Sequence, residues 1–236
     1  PEDLSEGEIP FWVRPLEIGE VLCLQVRQNL LDPRRLILKR GMDLLLSFVG
    51  GLLILPFFLI IGLAIKLETP GPVFFRQSRI GRDGQTIRIL KFRTMVRNAE
   101  EVLEKYLAAN PGLRKEWEED QKLRHDPRIT RIGTLLRRTS LDELPQLWNV
   151  LIGQMSLVGP RPIVEDEIIR YGSAFNAYKR VRPGMTGLWQ GSGRNDLSYK
   201  QRVHLDRFYI SNWSTWLDLL ILARTLPVVL GRKGAY

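Results

Sequence analysis

Cysteine and histidine are nearly absent from the 236 residues. The single Cys23 excludes an intramolecular disulfide framework and any multi-cysteine metal site, and it suits a reducing, cytoplasmic setting. His125 and His204 stand too far apart for metal-ligand spacing, which argues against a histidine-rich zinc site. Glycine-rich nucleotide loops are also missing: no G-x-x-x-x-G-K-[ST] occurs, and Gly191-Ser192-Gly193 lacks the length of a G-x-G-x-x-G fingerprint. No internal repeat is visible. Negative charge is in deficit, with 35 Lys and Arg against 26 Asp and Glu, a net charge of +9 and a pI near 9.9. That imbalance implies an anionic partner, and nucleic acid, acidic lipid and phosphorylated substrate all fit it. Charged residues at 26% and hydrophobic ones at 44% exclude a wholly disordered chain and a polytopic membrane protein. Chemistry must rest on carboxylates, arginines and backbone.

One stretch departs from this average. Between Asp43 and Lys66 no charged residue occurs, and Leu44 to Ile65 is apolar enough to span about 33 Å of bilayer as a straight helix. It lies inside the chain and no cleavage-site pattern follows it, so it is not a secretory signal peptide. Arg27, Arg34, Arg35, Lys39 and Arg40 precede it, and Lys66, Arg76, Arg79 and Arg82 follow it. Matched basic flanks place both ends on the cytoplasmic side, so the spacing predicts a re-entrant helix-break-helix with Pro56 at the break. A kinked spanning helix and a buried core helix are the alternatives. Near the C-terminus, residues 212–230 mix Trp213 and Trp216 with aliphatics, Asp218 and Arg224. This segment is too polar to span. It reads either as an amphipathic helix with both indoles at headgroup level or as a packed core helix.

Elsewhere the chain divides into recognisable pieces. Pro1 to Pro10 reads as a linker or frayed terminus, so the chain looks like a fragment. Ile18 to Val26 reads as a strand without a local partner, which suggests pairing with a second copy in a homodimer. Pro72 to Met95 predicts a β-hairpin turning at Gly81 to Gly84. Glu100 to Leu123 predicts an exposed helix interrupted at Asn110-Pro111-Gly112. The remainder alternates short helices with Gly- and Pro-rich loops.

The sharpest constellation is Ser140-Leu141-Asp142-Glu143, which fits the S-x-x-E capping box and predicts a helix starting at Ser140. Asp142 and Glu143 would then lie in its first turn, where the dipole favours an ionised carboxylate and free amides receive phosphate oxygens. An ionised Asp beside a phosphate site is a candidate nucleophile. Glu143 could equally be a mere cap, and Asp142 could merely suit the dipole. Arginines strengthen the catalytic reading: Arg137 and Arg138 precede the pair, Arg161 lies in Gly159-Pro160-Arg161-Pro162, and Arg182 and Arg194 occupy the loop beyond. Such a set suits a diphosphate, although a solvated basic face accounts for any one of them.

Three blocks, LKFRTM (90–95), TSLDELPQLWNVLIGQMSLVGPRPIV (139–164) and VRPGMTGLWQGSGRND (181–196), resemble the signature blocks of the bacterial sugar transferase family, the monotopic polyprenyl-phosphate phosphoglycosyl transferases. The resemblance extends over roughly Lys39 to Tyr236 and leans toward the galactose phosphotransferases of that family. It implies a mostly helical α/β fold, with residues 1–32 as the linker and tail of a missing N-terminal region, a basic segment and re-entrant membrane helix over 33–66 and a compact cytoplasmic catalytic domain over 67–236. That domain would hold short helices, the β-hairpin and interfacial amphipathic helices, at the inner membrane of a bacterium. The implied reaction moves a sugar 1-phosphate from a UDP-sugar to undecaprenyl phosphate with Mg²⁺, releases UMP and begins surface polysaccharide assembly. The family's Asp-Glu dyad falls on Asp142 and Glu143, which serve as nucleophile and as metal or proton partners. Lys91 and Arg93 of the first block join Arg137, Arg161, Arg182 and Arg194 as phosphate-binding candidates. Leu55 precedes Pro56 where the family usually has a small polar residue. A tethered basic binding protein without catalysis is the contrasting reading, and nucleic acid is not expected as its partner because no recognition-helix or RNP-type motif occurs.

Overall fold

The computed structural model of the chain describes residues 13–18, 21–26, 30, 32–120, 123, 125–190 and 197–230. Most of these are helical, and the strands pair two by two into three small sheets. The strand expected to lack a partner is half of a hairpin: β1 (Val13–Ile18) pairs antiparallel with β2 (Val21–Val26). That pairing removes the ground on which a partner chain was expected there. The linker assigned to Pro1 to Pro10 lies outside the described residues.

Asp32 opens α1 (Pro33–Glu68) by accepting from the Arg34 amide at 2.9 Å, and Pro33 suits the first helical position, where its missing N–H is not needed. The helix runs 36 residues, through Pro56 and without interruption, which corrects the expected helix-break-helix. A proline forfeits one intrahelical bond, whereas a break would strand several backbone groups among apolar side chains, so continuing is less unfavourable. α1 is long and apolar enough to cross a membrane. Its burial is inverted relative to a soluble helix. Lys39, Asp43 and Ser47, spaced four apart, are buried, while Leu45, Phe48, Leu52, Leu53, Phe57, Leu59 and Ile60 are exposed.

Both ends of α1 are gripped by the same body of structure. Near the start, the Lys39 ammonium reaches Asp218 at 2.7 Å and Asp43 at 3.5 Å, Arg40 donates to the carbonyls of Val150 and Leu151, and Asp43 accepts from the Leu157 amide. Near the end, Ile65 packs with Phe92 and Leu136, and the Glu68 carboxylate accepts from the amides of Arg131 and Ile132.

The expected hairpin forms from β3 (Phe74–Ile80) and β4 (Thr86–Phe92), Phe74 opposite Phe92 and Ile80 opposite Thr86. Its turn needs positive φ at Asp83 (58°) and Gly84 (73°). α2 (Ala99–Ala109) and α3 (Pro111–Asp120) divide at Asn110, as the Asn-Pro-Gly step predicts. Beyond α4 (Arg131–Thr139) and α5 (Gln146–Leu151), strand β5 (Ser156–Val158) runs parallel to β6 (Gly184–Thr186), with α6 (Ile168–Tyr171) and α7 (Phe175–Tyr178) between them. A Cβ on Gly159 would stand 2.8 Å from the Arg182 oxygen and from the Gly184 nitrogen, so the two Gly/Pro segments cross only because glycine sits there.

α8 (Tyr199–Asn212) and α9 (Thr215–Leu230) complete the core, in which Val158, Val181, Tyr209, Ile210, Trp213 and Ile221 pack together. Trp213 is 2% exposed and its indole donates to Asp218 at 3.1 Å, so it does not sit at headgroup level. The buried Asp218 carboxylate draws that indole inward, as it draws Lys39 and the Tyr209 hydroxyl. Trp216, in contrast, is 73% exposed.

Candidate active site

Ser140 ends a helix rather than starting one. It adopts the left-handed conformation (φ 54°), and its amide bonds back to the carbonyls of Arg137 and Leu136 at the close of α4. The capping box does not form at Ser140. Instead Leu141–Glu143 make a single 3-10 turn, and Leu144 and Pro145 continue the right-handed backbone into α5. Asp142 and Glu143 therefore occupy a tight turn between two helices, held from below by Leu141 and Leu144 in the cluster around Ile65, Phe92 and Leu136.

This turn lines a cavity of about 1070 Å³. The β3–β4 hairpin supplies one wall. Its register sets Gln77 opposite Ile89 and Phe75 opposite Lys91, and period-two alternation puts Arg79 on the same face. Lys91 bonds Glu143 at 2.8 Å. Arg137, at the end of α4, is held by a 2.9 Å bond from its Nε to the Thr94 hydroxyl. Arg161 enters from the Gly-Pro-Arg-Pro loop, Trp189 and Gln190 from the segment after β6, and Arg202 from α8.

Electrostatics separate the two carboxylates. Burial, and then the neighbouring Glu143, push Asp142 up to about 6, while Lys91 and Arg137 pull it back. Asp142 is thus a carboxylate that ionises near neutrality without a dedicated cation, rather than one held ionised by a helix dipole. Among the basic residues, burial and then the charge of Arg161 push Arg79 down. Two guanidiniums that disfavour one another in a half-buried wall form a site that an anion relieves.

The remaining candidates separate. Lys91, Arg137 and Arg161 join the carboxylates at the cavity. Arg93 touches its edge, but its guanidinium donates to the Thr69 carbonyl and hydroxyl and to the Pro70 carbonyl, all at 2.8 Å, so it clamps the end of α1 instead of gripping phosphate. Arg182 does not line the cavity; its Nε donates to the Gly153 carbonyl at 2.7 Å, because the chain crossing at Gly159 turns that side chain toward Arg40. Arg194 lies outside the described residues. Arg79 and Arg202 were missed by motif reading. Hairpin register alone would have found Arg79, since it faces the same way as Lys91. Among the described residues no three or more His, Cys, Asp or Glu side chains are grouped so as to hold a metal ion. Two adjacent carboxylates facing a wall of basic side chains fit Mg²⁺, which keeps most of its shell as water and substrate oxygen.

A sequence profile of the bacterial sugar transferases matches residues 34–232. The chain is 51% identical over 217 residues to the UDP-galactose-lipid carrier transferase of Erwinia amylovora, covering 92% of this chain and 45% of that protein. It is 50% identical over 218 residues to the undecaprenyl-phosphate galactose phosphotransferase of Salmonella typhimurium, covering 92% and 45%. It is also 50% identical over 198 residues to the exopolysaccharide production protein ExoY of Rhizobium meliloti, covering 84% and 88%. The chain thus spans a little under half the length of the two longer relatives.

Proposed function

The chain belongs to the bacterial sugar transferase family, and from that premise we propose that it transfers a sugar 1-phosphate from a UDP-sugar to undecaprenyl phosphate, releasing UMP and initiating surface polysaccharide. The observation that carries this is the Asp142–Glu143 turn in a cavity whose wall also carries Lys91, Arg137, Arg79 and Arg161. Galactose is the proposed sugar because it is named in two relatives at about half identity.

An Asp142 oxygen attacks the sugar-bearing phosphorus, the bond to the UMP phosphate breaks, and an acyl phosphate retains the sugar 1-phosphate. A phosphate oxygen of the lipid then attacks the same phosphorus and returns Asp142 as carboxylate. Arg137 and Lys91 offset the charge that gathers beside the turn, and Arg161 with Arg79 grips the second phosphate. Asp142 and Glu143 would hold Mg²⁺, which supplies charge neutralisation on the diphosphate.

Support for a membrane-facing placement of α1 with both ends on one side of the bilayer comes from its two gripped ends and its exposed apolar circumference. One polar body bonds Lys39, Arg40 and Asp43 at one end and Glu68 at the other, and it cannot lie on both sides of a bilayer. The site then stands at the cytoplasmic surface of the inner membrane, within reach of the lipid phosphate.

Incubating the purified protein with UDP-galactose labelled in the β-phosphate tests the chemistry. The expected result is a burst of UMP without acceptor, matched by label on the protein that hydroxylamine removes. Strict dependence of UMP release on lipid phosphate, with no label retained, would refute the covalent step and favour a ternary complex.

A further inference from the structure

Two buried carboxamides lie about one turn apart on α5, and they are used differently. Asn149 is 2% exposed; its NH₂ donates to the Arg88 carbonyl at 2.8 Å and to Gln154 Oε1 at 2.7 Å, and its oxygen accepts from the Leu90 amide at 2.9 Å. Those bonds pin α5 to β4 and fix the rotation of the helix. Gln146 is also 2% exposed, yet its carboxamide makes no hydrogen bond with any described residue, and it lines the cavity. Val150, four residues on and on the same face of α5, packs with Ile87 and Ile89 of β4 and with Met155, and Met185 of β6 lies against that cluster. Ile89, Met185 and Gln77, which stands opposite Ile89 across the hairpin, line the cavity together with Gln146. None of these four side chains is charged.

Packing alone would be served by leucine or methionine at this position, since either has a similar volume and neither has a polar group to satisfy. A carboxamide both donates and accepts. It therefore matches a hydroxyl, whereas an ionised phosphate oxygen only accepts and is met by the cations of the same cavity. Ile89 and Met185 add the apolar surface that the C–H face of a sugar ring covers. We propose that Gln146 is a specificity-determining residue that hydrogen-bonds a hydroxyl of the donor's hexose, on a neutral patch of wall formed with Gln77, Ile89 and Met185. The inference rests on the reading that Asp142 takes the sugar-bearing phosphate. Right-handed backbone runs without interruption from Asp142 through Leu144 and Pro145 to Gln146, about one helical turn, so the group within reach of Gln146 is the one esterified to that phosphorus. The uracil stands further off, beyond the second phosphate and the ribose. Because the acyl phosphate retains the sugar, the contact persists after UMP has left.

Titration calorimetry on the full chain in detergent separates sugar from nucleotide, with UDP as one probe and the tighter-binding of UDP-galactose and UDP-glucose as the other. An Asp142→Asn background stops the covalent step during the titration. In that background Gln146→Leu should weaken the UDP-hexose about tenfold, the scale of one lost hydrogen bond that leaves a hydroxyl unpaired, and should leave UDP within about twofold. Equal weakening of both probes would put the contact on the nucleotide or mark a structural role, and an unchanged UDP-hexose affinity would leave the carboxamide without a ligand; either result overturns the inference. Should the unfolding midpoint show that Gln146→Leu does not fold, Gln146→Met, an unbranched chain of similar length, is read by the same ratio. If the Asp142→Asn protein binds neither probe, the donor reading fails and this inference fails with it. Binding of both probes in a ratio that Gln146→Leu does not change defeats this inference alone.

Discussion

Asp142→Asn should yield a protein that is inactive and more stable than its parent. Keeping Asp142 ionised in its turn is unfavourable, because burial and Glu143 raise it from 3.8 to about 6. A shift of about two units corresponds to roughly 3 kcal/mol at 1.36 kcal/mol per unit. Since the folded value lies above the unfolded one and the group is an acid, the penalty is fully present above pH 6, fades as pH falls through that value, and vanishes only below the unfolded 3.8, where both states are protonated. The neutral amide keeps the shape and escapes most of that penalty, so a gain on the order of 2 kcal/mol is expected at pH 8, or about 4–8 °C in the unfolding midpoint for a chain of this size. At pH 4 most of that gain should be gone, with about 0.5 kcal/mol left. Thermal unfolding in detergent at both pH values, beside UMP release on the same preparations with deamidation checked, measures it. Equal midpoints at pH 8, or the same gain at pH 4, would refute the view that this carboxylate is held ionised against its surroundings.

Two further outcomes follow from particular contacts. Gly184→Ala sets a methyl group against the Gly159 backbone and the Thr186 carbonyl, so it should destabilise by about 3 kcal/mol or more, seen as a depressed unfolding midpoint; a neutral effect would mean the crossing can open. Cysteines at the exposed Arg35 and Leu67, in a Cys23→Ser background, should both be labelled by an impermeant reagent from the cytoplasmic side only, and labelling from opposite sides would overturn the placement of both ends of α1 on one side.

The hairpin, the divided α2–α3 pair and the apolar α1 were legible because each rests on local signals: period two around a Gly turn, an Asn-Pro-Gly step, and an uncharged run. Ser140 misled because two patterns share it. Arg137 and Arg138 sit in the last turn of α4, where cations suit the negative helix end, and that C-terminal signal outweighs the S-x-x-E spacing. Trp213 was drawn inward by Asp218 rather than outward by lipid, a decision made by the buried Lys39, which lies far away in sequence. Arg93, Arg161 and Arg182 look alike as letters. Only the tertiary fold sends the first to the end of α1, the second to the cavity and the third to Gly153.

The pairing of Lys39 with Asp218 also bears on how the protein is made. The two residues are 179 positions apart, yet the ammonium of one is buried against the carboxylate of the other. At about 5–20 residues per second, the ribosome delivers Asp218 roughly ten seconds or more after Lys39 has emerged. Throughout that interval the apolar run can already enter lipid, while its basic root awaits a counter-ion that has not been synthesised. The apolar helix and the body that grips it are therefore a single folding unit closed by α9. A nascent chain stalled before α9 leaves Lys39 with Asp43 as its near partner and without the closer carboxylate of Asp218.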